Sequence, residues 1–338
     1  MRKQIIILSM LLVFMFGISQ AEEKSDNFPI LKDPYLDQQS PGDFPETFAP
    51  GIISSGFNEA RCTFSPDGKE CFYSVIIEYF ETILWTRVEN DKWTEPEIAP
   101  FTGKYYEGYP SFHPDGTKLY FHSYRPTDGG TEPSENANIW FVERTDSGWN
   151  LPQILGPAIN GKGSVSGPSV TTDGTLYFSQ WQDDGRELAM RSELINGVYQ
   201  TPKPLPAHIN GIHLCISPDE SYLIMPKGKN EELIGGGNNY YVSFRNEAGQ
   251  WSNLIDLGEK IRSTKAGSFA TISADGNYFF FQARPRAEFV EYYQKKFNYE
   301  FNYSDLQKKL LREPASDRGA IWWVESSFIE ELKPDKLK

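Results

Sequence analysis

The chain has 338 residues and a formal net charge of -13, and 14% of its residues are aromatic, beside 28 Gly and 23 Pro. The negative charge argues against nucleic acid or an anionic membrane surface as a partner, because like charges repel. It does not exclude an anionic glycan in a local basic pocket. Frequent aromatic, Gly and Pro residues predict an all-β chain of short strands joined by turns.

Residues 1–21 have the pattern of a secretory signal peptide. A positive start, Met1-Arg2-Lys3, is followed by an apolar run and then by the small-x-small sequence Ser19-Gln20-Ala21. The apolar run is shorter than the about 20 residues of a membrane span. We therefore expect cleavage after Ala21, no membrane span in the mature chain, and a periplasmic or secreted protein. Polar residues 22–44 are predicted to form an N-terminal tether or a surface strap.

The three cysteines do not form a disulfide framework. Cys62 and Cys71 flank one predicted turn, and Cys215 lies far along the chain. Half-buried thiols are the simpler interpretation, since free Cys behaves as a small hydrophobic residue, but the pairing of Cys62 with Cys71 stays open. No metal-ligand spacing is present, so neither a metal nor a cofactor is expected.

One short motif recurs along the chain. Phe64-Ser65-Pro66-Asp67-Gly68-Lys69 has relatives that start at Phe112, Val170, Ile216 and Ile272. Pro fixes φ, Asp bonds to its own backbone, and Gly accepts a positive φ, so each copy predicts a tight turn between two strands. The sequence therefore contains five β-hairpins.

Two further families of strands complete each repeat. Alternating apolar and aromatic runs supply third strands, and proline-bearing runs suit edge strands. Four strands in about 50 residues make one propeller blade. The fifth edge strand is missing near the C-terminus, and the run from Pro45 to Ile52 supplies it. We therefore predict five four-stranded blades over residues 45–326, closed by the N-terminal strand, with a helical insertion at about 286–318 in the last blade and a C-terminal helix or tail at 327–338.

The motif at Phe64 to Lys69, followed by an aromatic strand, resembles the WD40-like repeat of TolB-type periplasmic propellers. The run from Phe48 through Gly56-Phe57-Asn58-Glu59-Ala60 is similar to exported propeller proteins of Bacteroidota. The resemblance covers nearly the whole mature chain. It implies a propeller that binds proteins, peptides or glycans, with some enzymatic relatives. TolB-type proteins carry a further domain and a sixth blade that we do not find here, so their partner is not carried over.

Loop lengths indicate one functional face. The loops between second and third strands are long at 123–138, 226–239 and 283–319, and long loops on a rigid scaffold tend to carry recognition. The entries to the inner strands share this face, opposite the Pro-Asp-Gly turns. Aromatic and charged side chains here form the predicted ligand-binding set: Tyr105, Tyr106, Glu107, Tyr109, His122, Trp181, His213, Lys265 and Arg284. The structural alternative is hydrogen bonding and packing between blades.

Catalysis at the same face is the competing hypothesis. Glu59 and Glu107 occupy equivalent positions in adjacent blades and form the matching carboxylate pair for a glycoside hydrolase, although a third inner-strand carboxylate is missing. A polysaccharide lyase would use His122 or His213 with Arg61 or Lys265. Neither set is complete. The leading hypothesis is thus a monomeric, non-enzymatic propeller that binds a glycan, a peptide or an envelope protein. A structural scaffold is a third possibility.

Overall fold

The structure is a computed structural model that describes residues 28–77, 80–209, 211–227, 239–258, 261, 264–285 and 319–337. Residues 31–338 form one compact unit, and residues 1–30 form a second unit of which only 28–30 are described. The predicted signal peptide and the predicted helical insertion at 286–318 therefore lie outside the described residues. Within the described ranges, no helix has the length and apolarity needed to cross a membrane.

The described strands form five antiparallel sheets, each one blade of a propeller, and an additional small hairpin. The first strand in the chain is β1 (Glu46–Thr47). Blade 1 contains β2 (Glu59–Phe64), β3 (Glu70–Ile77), β4 (Phe80–Glu89), β5 (Lys92–Trp93) and β6 (Glu97–Ile98). Blade 2 contains β7 (Glu107–Phe112), β8 (Lys118–Ser123), β9 (Asn138–Thr145), β10 (Gly148–Trp149) and β11 (Gln153–Ile154).

The remaining blades repeat the arrangement. Blade 3 contains β12 (Val165–Val170), β13 (Leu176–Trp181), β14 (Glu187–Ser192) and β17 (Lys203–Pro204), beside the hairpin β15 (Leu194–Ile195) and β16 (Val198–Tyr199). Blade 4 contains β18 (Cys215–Ile216), β19 (Tyr222–Lys227), β20 (Asn239–Phe244) and β21 (Ile255–Asp256). Blade 5 contains β22 (Thr264–Ile272), β23 (Tyr278–Pro285) and β24 (Ala320–Glu325). Short helices lie at Pro157–Asn160 (α1) and Ser327–Glu331 (α2), with 3-10 turns at Pro34–Asp37, Ala207–Ile209 and Asp335–Leu337.

The N-terminal strand closes the ring, as predicted. β1 pairs antiparallel with β24, with Glu46 opposite Trp323. Phe48 follows and is fully buried, in edge-to-face contact with Phe64 of blade 1 and with Phe280 and Trp323 of blade 5. The N-terminal strand thus covers the outer edge of β24 and joins the two ends of the propeller ring in one sheet.

The residues before β1 lie along the propeller. The backbone N–H of Tyr35 donates to the carbonyl of Gly68, and the Tyr35 ring lies 5.0 Å from that of Phe64 and 5.1 Å from that of Tyr278. Trp93 donates its indole N–H to the carbonyl of Asp33 at 2.8 Å. Residues 31–44 of the predicted tether thus form a strap over blades 1 and 5.

Side chains close the hairpin turns. In the first turn Asp67 accepts the Ser65 hydroxyl at 2.6 Å and the backbone N–H of Lys69 at 3.1 Å, while Gly68 has a φ of +66°. The same Ser or Thr to Asp bond recurs at Thr171, Ser217 and Ser273. This local bonding explains why a short motif predicts the turn.

The thiols of Cys62, Cys71 and Cys215 are free and fully buried. Cys62 pairs with Tyr73 and Cys71 with Phe64, so the two thiols lie diagonally on one face of the first hairpin. Burial raises the pKa of both thiols above the ordinary value. They behave as small core residues.

Candidate functional site

The inner strands carry a shared irregularity at the end away from the turns. Strand pairing shifts between Glu59 and Cys62 in blade 1, and it shifts at corresponding points in blades 2, 3 and 5. Such a bulge re-aims a side chain. The five residues at the equivalent repeat position, counted from each turn, are Arg61, Tyr109, Gly167, His213 and Phe269. Tyr109 and His213 have the unusual φ values of +56° and +55°.

Three of these residues pack against one another across the centre of the propeller. Ring centroids are 4.8 Å apart for Tyr109 and His213, 4.7 Å for Tyr109 and Phe269, and 4.7 Å for His213 and Phe269. We call this group the aromatic layer. Tyr109 and His213 line a large cavity on the long-loop side, and none of the three lines the small cavity nearer the turns. The aromatic layer is thus the floor of the large cavity.

The large cavity, here called the mouth, has a volume of about 930 Å³. It is lined by six predicted ligand-binding residues: Tyr105, Tyr106, Tyr109, His122, Trp181 and His213. Trp181 leaves 46% of its surface exposed. The long loop of blade 2 contributes Tyr124, Pro133 and Ala137. The structure therefore brings most of the predicted set together on the expected face.

Glu81 lies close to the mouth, at the start of the third strand of blade 1, and sequence reasoning missed it. Its carboxyl group is fully buried, and this burial raises its pKa to about 8, against the opposing effect of the hydroxyl groups of Ser74 and Tyr106. The Nε2 atom of His122 lies 3.8 Å from Glu81 Oε2. Burial, with a smaller effect of His213, lowers the pKa of His122 to about 3. Both groups are neutral near neutral pH, so their contact is not an ion pair.

Glu187 is the second carboxyl group that sequence reasoning missed, and it lines the mouth directly. Burial raises its pKa to about 7, while hydrogen bonds from Ser179 and Ser166 act in the opposite direction. Glu81 and Glu187 occupy the same place in blades 1 and 3, two residues before Ile83 and Ala189, which pair with Ser74 and Ser179. That shared repeat position was the available sequence signal.

The predicted carboxylate pair lies elsewhere. Glu59 is fully buried, and its Oε1 atom accepts the hydroxyl of Ser55 and three backbone N–H groups of residues 55–57, at 2.7 to 3.0 Å. Glu107 is also buried, accepting the backbone N–H of Gly103 at 3.0 Å and the Ser123 hydroxyl at 2.9 Å, and forming an ion pair with Arg125. Both glutamates hold the loops that enter their strands, and neither lines the mouth.

The predicted basic residues are dispersed. Arg61 is buried and lines the small cavity on the turn side of the aromatic layer. Lys265 and Arg284 are Cα partners in the pairing of β22 with β23. Their side chains lie outside the described part of the structure. Lys104 lines the mouth and was not predicted.

A second depression, of about 640 Å³, lies on the turn side between blades 4 and 5. Asp219 and Asp275 line it, but both carboxylates already accept the hydrogen bonds that close their own turns. In the described ranges, no group of three His, Cys, Asp or Glu side chains is placed to hold a metal ion. The mouth is therefore the candidate functional site.

The fold and this site define a five-bladed propeller with an aromatic mouth. No family model and no curated protein matches the chain. Similar solved structures include TolB from Acinetobacter baumannii, 16% identical over 67% of this chain and 49% of that chain, with a TM-score of 0.44. Another is an alpha-L-arabinofuranosidase from Podospora anserina in complex with cellotriose, 13% identical over 88% of this chain and 94% of that chain, with a TM-score of 0.46. The match thus spans about half of that TolB chain.

Proposed function

We propose that the protein is an exported binding protein that takes an uncharged glycan into the mouth. The observation that supports this most strongly is one cavity of about 930 Å³ lined by Tyr105, Tyr106, Trp181 and other aromatic residues. Ligand sites are commonly clefts of about 300–1,000 Å³ with apolar walls and a few placed polar groups. A volume in this range accommodates a short oligosaccharide, with ring faces for its apolar sides.

Lys104 and Glu187 line the mouth with side chains of opposite sign, and the buried polar groups beside them favour a sugar over a charged peptide. His122 is neutral because burial depresses its pKa to about 3, and Glu81 is protonated near neutral pH because burial raises its pKa to about 8. Neutral groups of this kind donate and accept hydrogen bonds without attracting a charged ligand. Hydroxyl-rich, uncharged ligands match them. An envelope protein remains the alternative partner, through a glycan that it carries or a loop.

Calorimetric titration of the mature protein with neutral oligosaccharides, acidic oligosaccharides and short peptides tests this proposal. We expect binding of a neutral oligosaccharide, and we expect Trp181→Ala to weaken it at least tenfold, since a stacked aromatic ring contributes more than about 1.4 kcal/mol at a binding hot spot. Phe44→Ala is the matched control, because Phe44 is an exposed aromatic residue outside the mouth. Binding of acidic sugars or peptides alone would contradict the proposal.

A carbohydrate-active enzyme is the second candidate, and Glu187 is the observation that favours it. A mouth-lining carboxyl group with a pKa of about 7 is suited to act as a general acid. Glycoside hydrolysis also needs a second carboxyl group. Glu81 is fully buried, so we prefer a binding protein to an enzyme. Product release from a polysaccharide panel that is abolished by Glu187→Gln would establish the enzyme. Product release that persists in this variant would rule out Glu187 as its acid.

Export and a monomeric state belong to the same proposal. Export is supported by the signal-like sequence of residues 1–21. Mass spectrometry of the protein recovered from an expressing bacterium should show an N-terminus at Glu22, in the periplasmic or extracellular fraction. An intact Met1 in the cytosolic fraction would contradict export. Light scattering of the mature protein should give the mass of one chain.

A further inference from the structure

The central channel of the propeller, around which the inner strands lie, contains a small cavity beside the buried side chain of Arg61. This cavity lies on the turn side of the aromatic layer. The cavity has a volume of about 30 Å³. Arg61 lines it, together with one hydroxyl or thiol residue from each inner strand: Thr63, Ser111, Ser169, Cys215 and Thr271. Arg61 is only 2% exposed. Among the described residues, none of its three guanidinium nitrogens has a hydrogen-bond partner, and neither has the Thr271 hydroxyl.

Arg61 needs a counter-charge, because a guanidinium group remains protonated in proteins and a buried charge is strongly unfavourable unless it is paired. None of the described residues that line the cavity is acidic. The ionisable groups that interact with Arg61 are Cys215, Cys62 and Tyr109. Burial raises the pKa of each above its ordinary value, so all three are neutral. Among the described residues, Arg61 thus has no counter-charge.

The hydroxyl groups around the cavity are suited to complete an anion site. Thr63 accepts the backbone N–H of Phe112 at 3.2 Å, and Ser169 accepts that of Ile216 at 3.0 Å. Each hydroxyl still has its own proton to donate. With the guanidinium and the Thr271 hydroxyl, they surround the cavity with donors. A water molecule needs about 10–15 Å³ of such space, so the cavity has room for a single small ion.

We propose that the central channel binds one halide ion, which is chloride under ordinary conditions. The ion lies beside Arg61 and the hydroxyl groups that line the small cavity, those of Thr63, Ser111, Ser169 and Thr271. The ion neutralises Arg61 on the side of the aromatic layer opposite the mouth. It contributes to folding and makes no contact with a ligand in the mouth, because the aromatic layer separates the two. Halide binding therefore stabilises the propeller whether or not the mouth binds a glycan.

Bromide soaking and thermal unfolding test the site. Crystals of the mature protein soaked in sodium bromide should give an anomalous peak next to Arg61 in the channel. In solution, replacing gluconate by chloride at constant ionic strength should raise the unfolding midpoint by about 2 °C per tenfold increase in chloride above its Kd. Arg61→Met removes the charge and should abolish this dependence. Arg87→Met, at a partly exposed arginine on blade 1, should preserve it.

Two results would overturn the proposal: bromide peaks at surface positions only, or an unchanged chloride dependence in Arg61→Met. If that variant does not fold, Thr271→Val serves instead, since it removes one donor and keeps the shape. It should require a severalfold higher chloride concentration for the same midpoint, and an unchanged midpoint curve would count against the site.

Discussion

The two ends of the inner hairpins differ in how their polar groups are satisfied. At the turn end, Asp67 and its counterparts close the turns, and Glu70 and Glu220 form ion pairs with arginines. At the mouth end, Tyr109 has a positive φ, Glu81 is buried in its neutral form, and His122 has no hydrogen-bond partner for either ring nitrogen among the described residues. The turn end thus has paired carboxylates at these positions, whereas the mouth end combines the paired carboxylates of Glu59 and Glu107 with the neutral, buried side chains of Glu81 and His122.

Among the variants that test this comparison, Glu81→Gln should give the largest change in the free energy of unfolding. The folded-state pKa of Glu81 is raised from 4.5 to about 8, so the folded protein binds this proton more tightly than the unfolded chain does. Its contribution to stability is complete below about pH 4.5 and is lost as the pH rises towards about 8, by about 1.4 kcal/mol per pH unit. Gln resembles the protonated form and does not titrate. Near neutral pH, Glu81→Gln should therefore raise the free energy of unfolding by about 3 kcal/mol.

Urea unfolding across the pH range measures this effect. The wild-type protein should lose stability between about pH 5 and pH 8, and Glu81→Gln should lose much less. Glu97→Gln is the control, since Glu97 is exposed on blade 1. Parallel pH curves for the wild type and Glu81→Gln would show that Glu81 is ionised in the folded protein.

Glu70→Ala should give the next largest effect, at the turn end. Glu70 is buried and accepts the indole N–H groups of Trp85 at 2.7 Å and Trp149 at 3.0 Å, and it forms an ion pair with Arg144 of blade 2. The substitution leaves these donors unpaired, so we expect a loss of about 2 kcal/mol in urea unfolding. Glu97→Ala, which removes an exposed partner of Arg87, should lose less than about 1 kcal/mol. Equal losses in Glu70→Ala and Glu97→Ala would mean that the buried hydrogen bonds of Glu70 add no stability beyond that of an exposed ion pair.

Sequence reasoning recovered the parts of the molecule that depend on local bonding. The turn at Asp67 forms from contacts within five residues, so its motif predicts the hairpin and, through its repetition, the five blades. The closure by β1 was predicted from the count of edge strands, which lacked one at the C-terminal end. Glu81 was missed because its environment is not local: a Cβ on Gly108, in the next blade, would lie 2.1 Å from its Oε1 atom. Glu59 was assigned to the mouth because its bonds to the loop at residues 55–57 cannot be read from its repeat position.

Asp67→Ala should have a smaller effect than Glu70→Ala, because it affects one of five similar turns. It removes the acceptor for the Ser65 hydroxyl and the Lys69 backbone N–H. We expect a loss of about 1 kcal/mol in urea unfolding. Asp67→Asn keeps a side-chain oxygen and should lose less. If Asp67→Ala weakened glycan binding as well, the separation between the two ends would be wrong.

Trp181→Ala should have the smallest effect on stability. Trp181 ends β13 at the mouth and is 46% exposed, whereas the aromatic residues between blades are largely buried. Its removal should change the free energy of unfolding by less than about 0.5 kcal/mol, as for exposed residues without a structural role. The same variant should lose glycan binding, while Glu70→Ala should retain it. Measured together, the two variants separate binding from stability. Trp181→Ala should lower only the affinity for the glycan, and Glu70→Ala should lower only the free energy of unfolding. A Trp181→Ala protein that is strongly destabilised would instead place this side chain in the core and remove it from the site.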